Sequence, residues 1–427
     1  MELTHHWIQR AGARAAAALT GRPGPAQVGA AELDRVVARI VCDAVAAAQA
    51  PKNGPGYAWW LALAAAYPNS PVVHPSRGRR TAEELRTKLD SLFTDDAGAR
   101  WHCWCCDQPA AQRWGKSLWP LTDSVSHLNH APGGVGGQPV CRSCRICAWA
   151  MPYASSHNGA QILTPDTDDE DLAMELARTM VERNVRAVQE QWGSWPRAWT
   201  TAALGPALRE YPAELTSHDW RNDNRAPFIY ERSVDLAIAR WWSCLGDEHR
   251  TAVEAVVGGE RPVWSLLSEP RMLHTSPAPL LHTMVEQART AALEELAEGG
   301  ALGEVSRHLA QAARPLLESP YLGERGLEPL AGVLDPLAET VAALTTEPHL
   351  LEWFLDHRGD VDAWRTWLKD QAVQRLFGDG PPLITPEQWV RLFGDGPAAA
   401  ARDHLVVGVL LHHHRAQVPL DPESFAG

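Results

Sequence analysis

The sequence lacks most of the motifs by which a catalytic or membrane function is recognised. It contains no P-loop, no G-x-S-x-G nucleophile motif and no H-E-x-x-H metalloprotease motif. No uncharged apolar run reaches the roughly 18 residues that a membrane-spanning helix needs, and the alanine-rich stretch after Arg14 is too short for a secretory signal. We therefore expect a non-catalytic cytoplasmic protein that does not enter a membrane.

The sequence also lacks an excess of basic residues, since 39 Lys and Arg stand against 52 Asp and Glu, for a net charge of −13. This balance disfavours a protein that coats nucleic acid by charge alone. The charge is uneven, because Ser70 to Ala160 holds 10 basic and 7 acidic residues together with six of the eight cysteines. A polyanion would dock most plausibly on this segment, although scattered surface charge accounts for the count equally well.

The length of 427 residues, with 45% hydrophobic and 21% charged residues, predicts a globular chain with more than one core. We predict an α+β protein in which a mixed body carries an inserted four-cysteine zinc module and is followed by a C-terminal helical bundle. The predicted boundaries are 1–100 for an α-rich body, 101–165 for the zinc module, 166–270 for the rest of the body and 271–427 for the bundle.

Apolar residues at helical spacing predict helices in both halves of the chain. In the body these are Ala31–Ala50, Thr81–Phe93 and Asp168–Gln189, and a short strand is expected at Pro227–Tyr230. Cys42 and Cys244 lie among apolar residues and are interpreted as core thiols. In the bundle the predicted helices are Thr283–Glu298, Gly303–Glu318, Glu347–Arg358, Val361–Phe377, Pro386–Phe393 and Pro397–Arg415.

The cysteine spacing is the strongest chemical signal in the sequence. Cys103 and Cys106 form one C-x2-C pair, and Cys141 and Cys144 form a second pair after 34 intervening residues. Two such pairs can give a metal ion four thiolate ligands in a tetrahedral shell, which leaves no open position for a substrate. A cytosolic protein rarely keeps disulfides, so the pattern favours a structural Zn²⁺ site.

Two further cysteines leave the choice of ligands open. Cys105 could only form a C-x-C pair with Cys103, which is a poor metal-binding turn, whereas Cys147 lies three residues beyond Cys144 and could replace Cys141. Because Cys147 opens the apolar run CAWAM, we favour a buried core thiol there. His102, His127 and His130 are weaker candidates, since four cysteines already complete the shell.

The segment from Ser126 to Leu163, SHLNHAPGGVGGQPVCRSCRICAWAMPYASSHNGAQIL, carries a resemblance to a known family. A glycine-rich loop after an asparagine precedes a proline-containing C-x2-C turn, an apolar stretch that ends in proline, and a Ser/Gly turn into a hydrophobic strand. This order resembles the central signature of the large subunit of type I-B CRISPR Cascade complexes, in the Cst-type branch. The doubled Cys105-Cys106 and the third cysteine, Cys147, depart from that pattern.

The resemblance implies a non-catalytic subunit of an RNA-guided antiviral surveillance complex. Such a subunit recognises the protospacer-adjacent motif, aids duplex opening, stabilises the R-loop and supports recruitment of the helicase-nuclease. The implied partners are a guide RNA, the other Cascade subunits and target double-stranded DNA, with small subunits against the C-terminal bundle. The guide supplies sequence recognition, so the protein itself needs only short-motif readout and contacts to the strands.

The nucleic-acid contacts are expected in and around the glycine-rich loop. Asn129 can bond base edges, and glycines allow the backbone to approach a groove closely, although a plain Gly-Pro connector is an open alternative. The phosphate contacts are expected among nearby basic side chains, about half of which would be ordinary surface charge. The predicted contact residues are Asn129, Gly133, Gly134, Gly136, Gly137, Arg79, Arg80, Arg113, Lys116, Arg142 and Arg145.

A second hypothesis is a stand-alone zinc-ribbon DNA-binding regulator or scaffold, which the four-cysteine pattern and the helices also fit. This hypothesis predicts that the free protein binds duplex DNA. A thiol redox enzyme that uses the CWCC string is disfavoured, because no βαβ pattern surrounds Cys103.

Overall fold

The computed structural model describes residues 1–74, 76–122, 136–158, 161–195, 204–222, 228–234, 236–258, 279–299, 301–318, 330–377, 382–394 and 398–417. The chain divides into two compact units, Met1–Leu236 and Ala237–Gly427. The first unit mixes helices and strands, and the described part of the second is helical, as the α+β prediction requires. No helix among these residues has the length and apolar character needed to cross a bilayer.

The helices of the first unit confirm the three that the apolar spacing predicted. Two of these helices begin with a side-chain cap, since Thr81 and Glu84 form a capping box and the Asp169 side chain accepts from the backbone N–H of Leu172 at 2.9 Å. The helices are α1 (Trp7–Leu19), α2 (Ala30–Gln49), α3 (Tyr57–Ala66), α4 (Ala82–Asp90), α5 (Arg142–Ala150), α6 (Glu170–Gln189) and α7 (Leu204–Glu210).

Within the described part of the chain, the strands form two short hairpins and one four-stranded antiparallel sheet, with the order β5-β6-β7-β8. In the sheet, Thr164 pairs with His218, which in turn pairs with Glu231. The predicted strand near Tyr230 is confirmed, although it runs further along the chain. The strands are β1 (Trp101–His102), β2 (Pro109–Ala110), β3 (Gln112–Trp114), β4 (Gln138–Val140), β5 (Ser156–Asn158), β6 (Gln161–Asp166), β7 (Leu215–Arg221) and β8 (Phe228–Val234).

The core of the first unit is built around α5, which is buried along most of its length. The indole ring of Trp149 stacks on Tyr67 with ring centroids 4.4 Å apart, and the Tyr67 hydroxyl donates to the carbonyl oxygen of Ala148. Helix α1 packs so closely on α5 that a Cβ atom added to Gly12 would lie 1.8 Å from the carbonyl oxygen of Cys147. Only a glycine at position 12 permits this approach.

Two predictions about single cysteines are wrong. Cys42 is exposed because it lies on the solvent face of α2 with Arg35 and Gln49, while Val41 and Val45 occupy the buried face. Cys244 is also exposed, at the last residue of α8. An apolar neighbour in sequence does not fix the direction of a helical side chain, which depends on the 3.6-residue period.

The helices of the second unit confirm the six that were predicted from Thr283 onwards. The helices that the spacing analysis missed include Leu330–Leu344, which contains a proline, Pro336. The helices are α8 (Leu236–Cys244), α9 (Asp247–Gly258), α10 (Pro279–Gly299), α11 (Glu304–Glu318), α12 (Leu330–Leu344), α13 (Pro348–Asp356), α14 (Val361–Phe377), α15 (Pro386–Phe393) and α16 (Ala398–Gln417).

Charged and polar side chains connect the helices of the second unit through its interior. Asp403, which is fully buried on α16, pairs with Arg358, and the imidazole of buried His404 lies 2.8 Å from a carboxylate oxygen of Asp335 on α12. On the same helix α16, Gly408 allows close packing, since an added Cβ would lie 2.7 Å from that of Ala338. These contacts fix the lateral positions of α12 and α16.

Candidate metal centre

The first cysteine pair lies in a tight turn between β1 and β2. The turn is closed by hydrogen bonds from the Asp107 N–H to the Cys103 carbonyl oxygen and from the Cys103 N–H to the Gln108 carbonyl oxygen, both 2.8 Å long. Asp107 has a φ of 60°, the left-handed conformation that Asp adopts more readily than most residues.

The second pair lies at the beginning of α5. Cys141 is the N-cap residue, and Cys144 lies in the first helical turn. Both residues therefore lie near the positive end of the helix, which favours the charged thiolate form. The β1–β2 turn with the first cysteine pair, the β3–β4 hairpin, and α5 with the second pair are together called the knuckle–hairpin–helix module below.

The two pairs converge on one point. The sulfur atoms of Cys103, Cys106, Cys141 and Cys144 all lie within 4.8 Å of one another, and the sulfur of Cys106 lies 3.5 Å from those of Cys141 and Cys144. Four sulfurs at about 2.3 Å from a tetrahedral metal ion would lie about 3.8 Å apart. The cluster therefore has the donor set and the dimensions of a four-thiolate metal site.

The structure separates the two additional cysteines from this set. Cys147 is fully buried in α5, its sulfur lies 3.2 Å from that of Met1, and burial raises its pKa, so it is the core thiol that the apolar run predicted. Cys105 is half-buried beside the cluster, where a hydrogen bond with Cys103 is the largest factor that raises its pKa. Neither residue belongs to the group of four sulfurs.

A buried ion pair fixes α5 against the segment that follows α4. The guanidinium of Arg145 has no exposed surface and donates to the carbonyl oxygens of Leu92 and Thr94, at 2.6 and 2.8 Å, and to the carboxylate of Asp96 at 2.7 Å. The same carboxylate accepts the N–H of Ala111 at 3.0 Å. The prediction that Arg145 contacts phosphate is therefore wrong, because its donors are enclosed in the protein interior.

Two further predicted phosphate contacts also have partners within the protein. Arg142 donates to the carbonyl oxygen of Phe93 and to the carboxylate of Asp34, both at 2.7 Å, and its side chain is 20% exposed. Arg113 donates to the carbonyl oxygens of Gly136 and Gly137, and its guanidinium lies 5.5 Å from the ring centre of Trp101. Both arginines hold the module together in this conformation.

The glycine-rich segment connects the two strands of the β3–β4 hairpin, whose last pair is Trp114 with Gln138. Gly137 has a φ of 82°, so the chain enters β4 through a conformation that glycine adopts freely. Of the predicted loop contacts, Gly136 and Gly137 lie at this end of the segment, whereas Asn129, Gly133 and Gly134 lie outside the described residues. The module thus fixes the end of the segment from Gly136 onwards.

The remaining predicted basic residues differ in exposure. Arg79 is exposed, Arg80 is half-buried and donates to the carbonyl oxygen of Pro71 at 3.0 Å, and Lys116 is half-buried. Asn222 is buried and donates to the carbonyl oxygens of Ala66 and Lys116. Asn222 is therefore a structural residue beside the hairpin.

Several residues of the centre carry no sequence signal of their own. Trp104 lies between the first two cysteines, is 40% exposed, and meets His6 edge-on with ring centroids 4.8 Å apart. Arg100, directly before β1, is exposed on the same module. Asp96 is one of many acidic residues in the sequence, and only its contacts with α5 and Ala111 distinguish it.

His218, on β7, belongs to a buried charge network. Its imidazole stacks on Trp7 at 4.4 Å and lies 3.5 Å from Asp166, which also pairs with Arg10 and Arg14. Burial alone would raise the pKa of Asp166, but the hydrogen bonds and charges of these neighbours lower it to about 2. Among the described residues, the only group with metal-ligand geometry is the four-cysteine cluster.

Comparisons of the chain with protein-family models, with curated proteins and with solved structures gave no match.

Proposed function

We propose that this protein is the non-catalytic large subunit of an RNA-guided Cascade-type surveillance complex, with a structural Zn²⁺ ion in its knuckle–hairpin–helix module. In this role it recognises the protospacer-adjacent motif, aids duplex opening and R-loop stabilisation, and supports recruitment of the helicase-nuclease. One observation carries the proposal, and it concerns the segment that resembles the Cascade large subunit. The glycine-rich part of this segment connects the strands of the β3–β4 hairpin, and its C-x2-C pair, directly after β4, belongs to the four-sulfur cluster.

The chemistry of the sulfur cluster supports a structural role for the metal. Four cysteine sulfurs fill a tetrahedral shell, and three of these residues are buried, so a substrate has no coordination position to occupy. The ion would instead join the β1–β2 turn to the beginning of α5. That link lies beside the hairpin from which the glycine-rich segment extends, so metal binding would fix the base of a motif-reading loop.

The distribution of exposed basic and aromatic groups narrows the proposed nucleic-acid face. Arg142, Arg145 and Arg113 are held by protein partners, and Arg80 donates to the carbonyl oxygen of Pro71. Exposed Arg79 is therefore the foremost phosphate contact of the original set, with half-buried Lys116 and Arg80 as weaker ones. Arg100, directly before β1, and Trp104, in the first cysteine turn, are also exposed and would add to these contacts. A small number of phosphate contacts suits a protein that leaves sequence recognition to the guide.

The test begins with the tagged protein purified from its native host at moderate salt, followed by sequencing of the bound RNA and identification of the bound proteins. We expect repeat-spacer RNA of guide length together with backbone subunits. We expect the isolated complex to bind a matched duplex that carries the motif, with Asn129→Ala weakening this binding by about 5- to 150-fold, since a base-edge contact is worth about 1–3 kcal/mol.

Asn158→Ala is the matched control for this substitution, because Asn158 is exposed at the end of β5 in the same unit. It should leave duplex binding unchanged. A zinc-containing monomer that carries no RNA and binds duplex DNA alone would contradict the Cascade proposal and favour a zinc-ribbon regulator.

A further inference from the structure

A groove of about 600 Å³ lies on the first unit, on the side of α6 that faces the end of α1 and the middle of α2. Its longest wall is α6, which contributes six lining residues, and Ala18, Leu19 and Arg39 complete it. A smaller depression beside it shares Leu19 and Arg39 and adds Arg35 and Val36. None of these residues belongs to the sulfur cluster or to the proposed nucleic-acid face.

The shape of the groove follows from the spacing of its residues along α6. The lining positions are Arg178, Val181, Glu182, Val185, Arg186 and Gln189, which fall at i, i+3, i+4, i+7, i+8 and i+11. This spacing is one continuous stripe along three helical turns, about 16 Å at 1.5 Å per residue. The groove is therefore long and open, and its length matches that of a three-turn helix lying beside α6.

The floor of the groove is apolar. Val181 is buried, and Val185 and Leu19 are half-buried hydrophobic residues that pack against the core. None of the lining residues is aromatic. Single-stranded nucleic acids are usually held by base stacking on aromatic side chains, so this floor suits aliphatic side chains of a peptide better than nucleotides.

The rim of the groove is basic in a chain of net charge −13. Arg35, Arg39, Arg178 and Arg186 line the groove and the adjoining depression, against one acidic residue, Glu182. The two arginines of α6 are held by weak partners. Arg186 pairs with Glu182 at 3.1 Å on the helix surface, and Arg178 lies 4.0 Å from Glu175 and donates to the carbonyl oxygen of Pro23 at 2.9 Å.

Such exposed pairs are worth little, about 0.3–0.5 kcal/mol each, so both side chains can turn to a stronger acceptor. Arg39 and Arg35 are tied more closely to the protein, by contacts with Asp43 at 2.5 Å and Glu32 at 2.9 Å. A guanidinium has five N–H donors, and one carboxylate leaves several of them for a ligand. The α6 arginines would make the main contacts and the α2 arginines would supplement them.

We propose that this groove binds an acidic amphipathic helix of a partner protein. The apolar face of the helix rests on Leu19, Val181 and Val185, and its carboxylates meet Arg178 and Arg186. This is helix-in-groove recognition with an arginine rim, in which the apolar contacts supply affinity and the charge selects acidic partners. The inference does not depend on the Cascade proposal, since it uses none of the same residues.

The test uses the full-length protein and a fluorescein-labelled three-turn model peptide with leucine on one helical face, glutamate on both flanks and alanine elsewhere. Fluorescence anisotropy at low salt should show saturable binding that weakens as salt is added. The double variant R178E/R186E should weaken binding at least tenfold. The same peptide with lysine in place of glutamate should bind the native protein more weakly, and the double variant should reverse that preference.

Arg86→Glu is the matched control, since Arg86 is an exposed arginine on α4 outside the groove. It should leave peptide binding unchanged, and far-ultraviolet circular dichroism should show that both variants keep their helices. Absence of saturable binding, or equal weakening by Arg86→Glu and the double variant, overturns the proposal. Equal or tighter binding of a 15-nucleotide oligothymidylate with the same dependence on Arg178 and Arg186 would also overturn it, because the groove would then be a phosphate site.

Discussion

The buried guanidinium of Arg145 lies 2.7 Å from the carboxylate of Asp96 and forms the ion pair that holds α5 against the preceding loop. Arg145 comes from the first turn of the helix that carries Cys141 and Cys144, and Asp96 also accepts the N–H of Ala111 beside the first cysteine turn. The pair therefore connects both halves of the metal centre without touching a sulfur.

Asp96→Asn should destabilise the first unit by about 3–5 kcal/mol, because it leaves the buried guanidinium of Arg145 without its counter-charge. The free energy of unfolding by urea, followed by tryptophan fluorescence, measures the loss. The adjacent Asp95→Asn removes a carboxylate whose side chain is 88% exposed, and it should change stability by less than about 1 kcal/mol. Equal losses in the two variants would show that the ion pair contributes nothing particular.

Replacement of any one of the four clustered cysteines by serine should abolish stoichiometric zinc binding or weaken it strongly. The native protein should contain close to one zinc ion per chain by elemental mass spectrometry, because four thiolates complete one tetrahedral shell. Cys105→Ser and Cys42→Ser should retain the ion, since Cys105 lies beside the set and Cys42 is exposed on α2. Zinc loss in Cys105→Ser with retention in Cys141→Ser would contradict the assigned ligands.

Gly12→Ala should cost about 3 kcal/mol or more in stability, because the new methyl group would overlap the backbone of Cys147 and force α1 away from α5. Neither backbone can yield cheaply, since both lie in buried helices. Gly332→Ala provides the control, as nothing lies within 4 Å of its Cβ position and alanine favours the helix by about 1 kcal/mol. In thermal unfolding, the midpoint temperature of Gly12→Ala should therefore be lower than that of the native protein, and that of Gly332→Ala should be higher.

His157 should make the first unit sensitive to mild acid. Its imidazole is buried against Trp59 and Trp195 and donates to the carbonyl oxygen of Pro152 at 2.8 Å, and burial lowers its pKa from 6.5 to about 4. The unfolded chain takes up a proton below pH 6.5 while the folded chain does not until about pH 4. Stability should therefore fall between these values by up to about 3 kcal/mol.

The variant His157→Phe removes this titration, so its free energy of unfolding should depend less on pH across the same interval. Urea unfolding at several pH values gives the free energy of unfolding at each pH, and the slope of this free energy against pH should be smaller in the variant. His74→Phe replaces an exposed histidine and should leave the slope of the native protein unchanged. A slope unaltered by His157→Phe would show that another group controls the acid response.

Arg79→Glu should weaken the binding of DNA by the assembled complex to a similar extent on all duplexes and reduce the slope of log affinity against log salt by about 1, as expected for one phosphate contact. Arg365→Glu, at an exposed position on α14, should leave both quantities unchanged. A change confined to one DNA sequence would instead indicate that Arg79 reads a base.

Local sequence patterns were sufficient for several parts of this structure. The capping box at Thr81 and the acidic beginning of α6 specify helix ends through contacts only a few residues apart. The two C-x2-C pairs likewise predicted the group of four sulfurs, because a two-residue spacing lets one turn present two sulfurs to the same point.

What only the tertiary structure decided was the environment of each side chain. Arg145 is an arginine in a basic segment, as a phosphate contact would be. It is nevertheless buried, because Asp96, 49 residues away in the sequence, supplies its counter-charge. Cys42 lies among apolar residues but faces solvent, and Cys147 rather than Cys105 is enclosed, since α1 packs on α5 through Gly12. Local spacing determines the contacts between residues that are close in sequence, such as helix caps and paired cysteine ligands. Burial and ion pairing depend on segments that meet only when the chain folds.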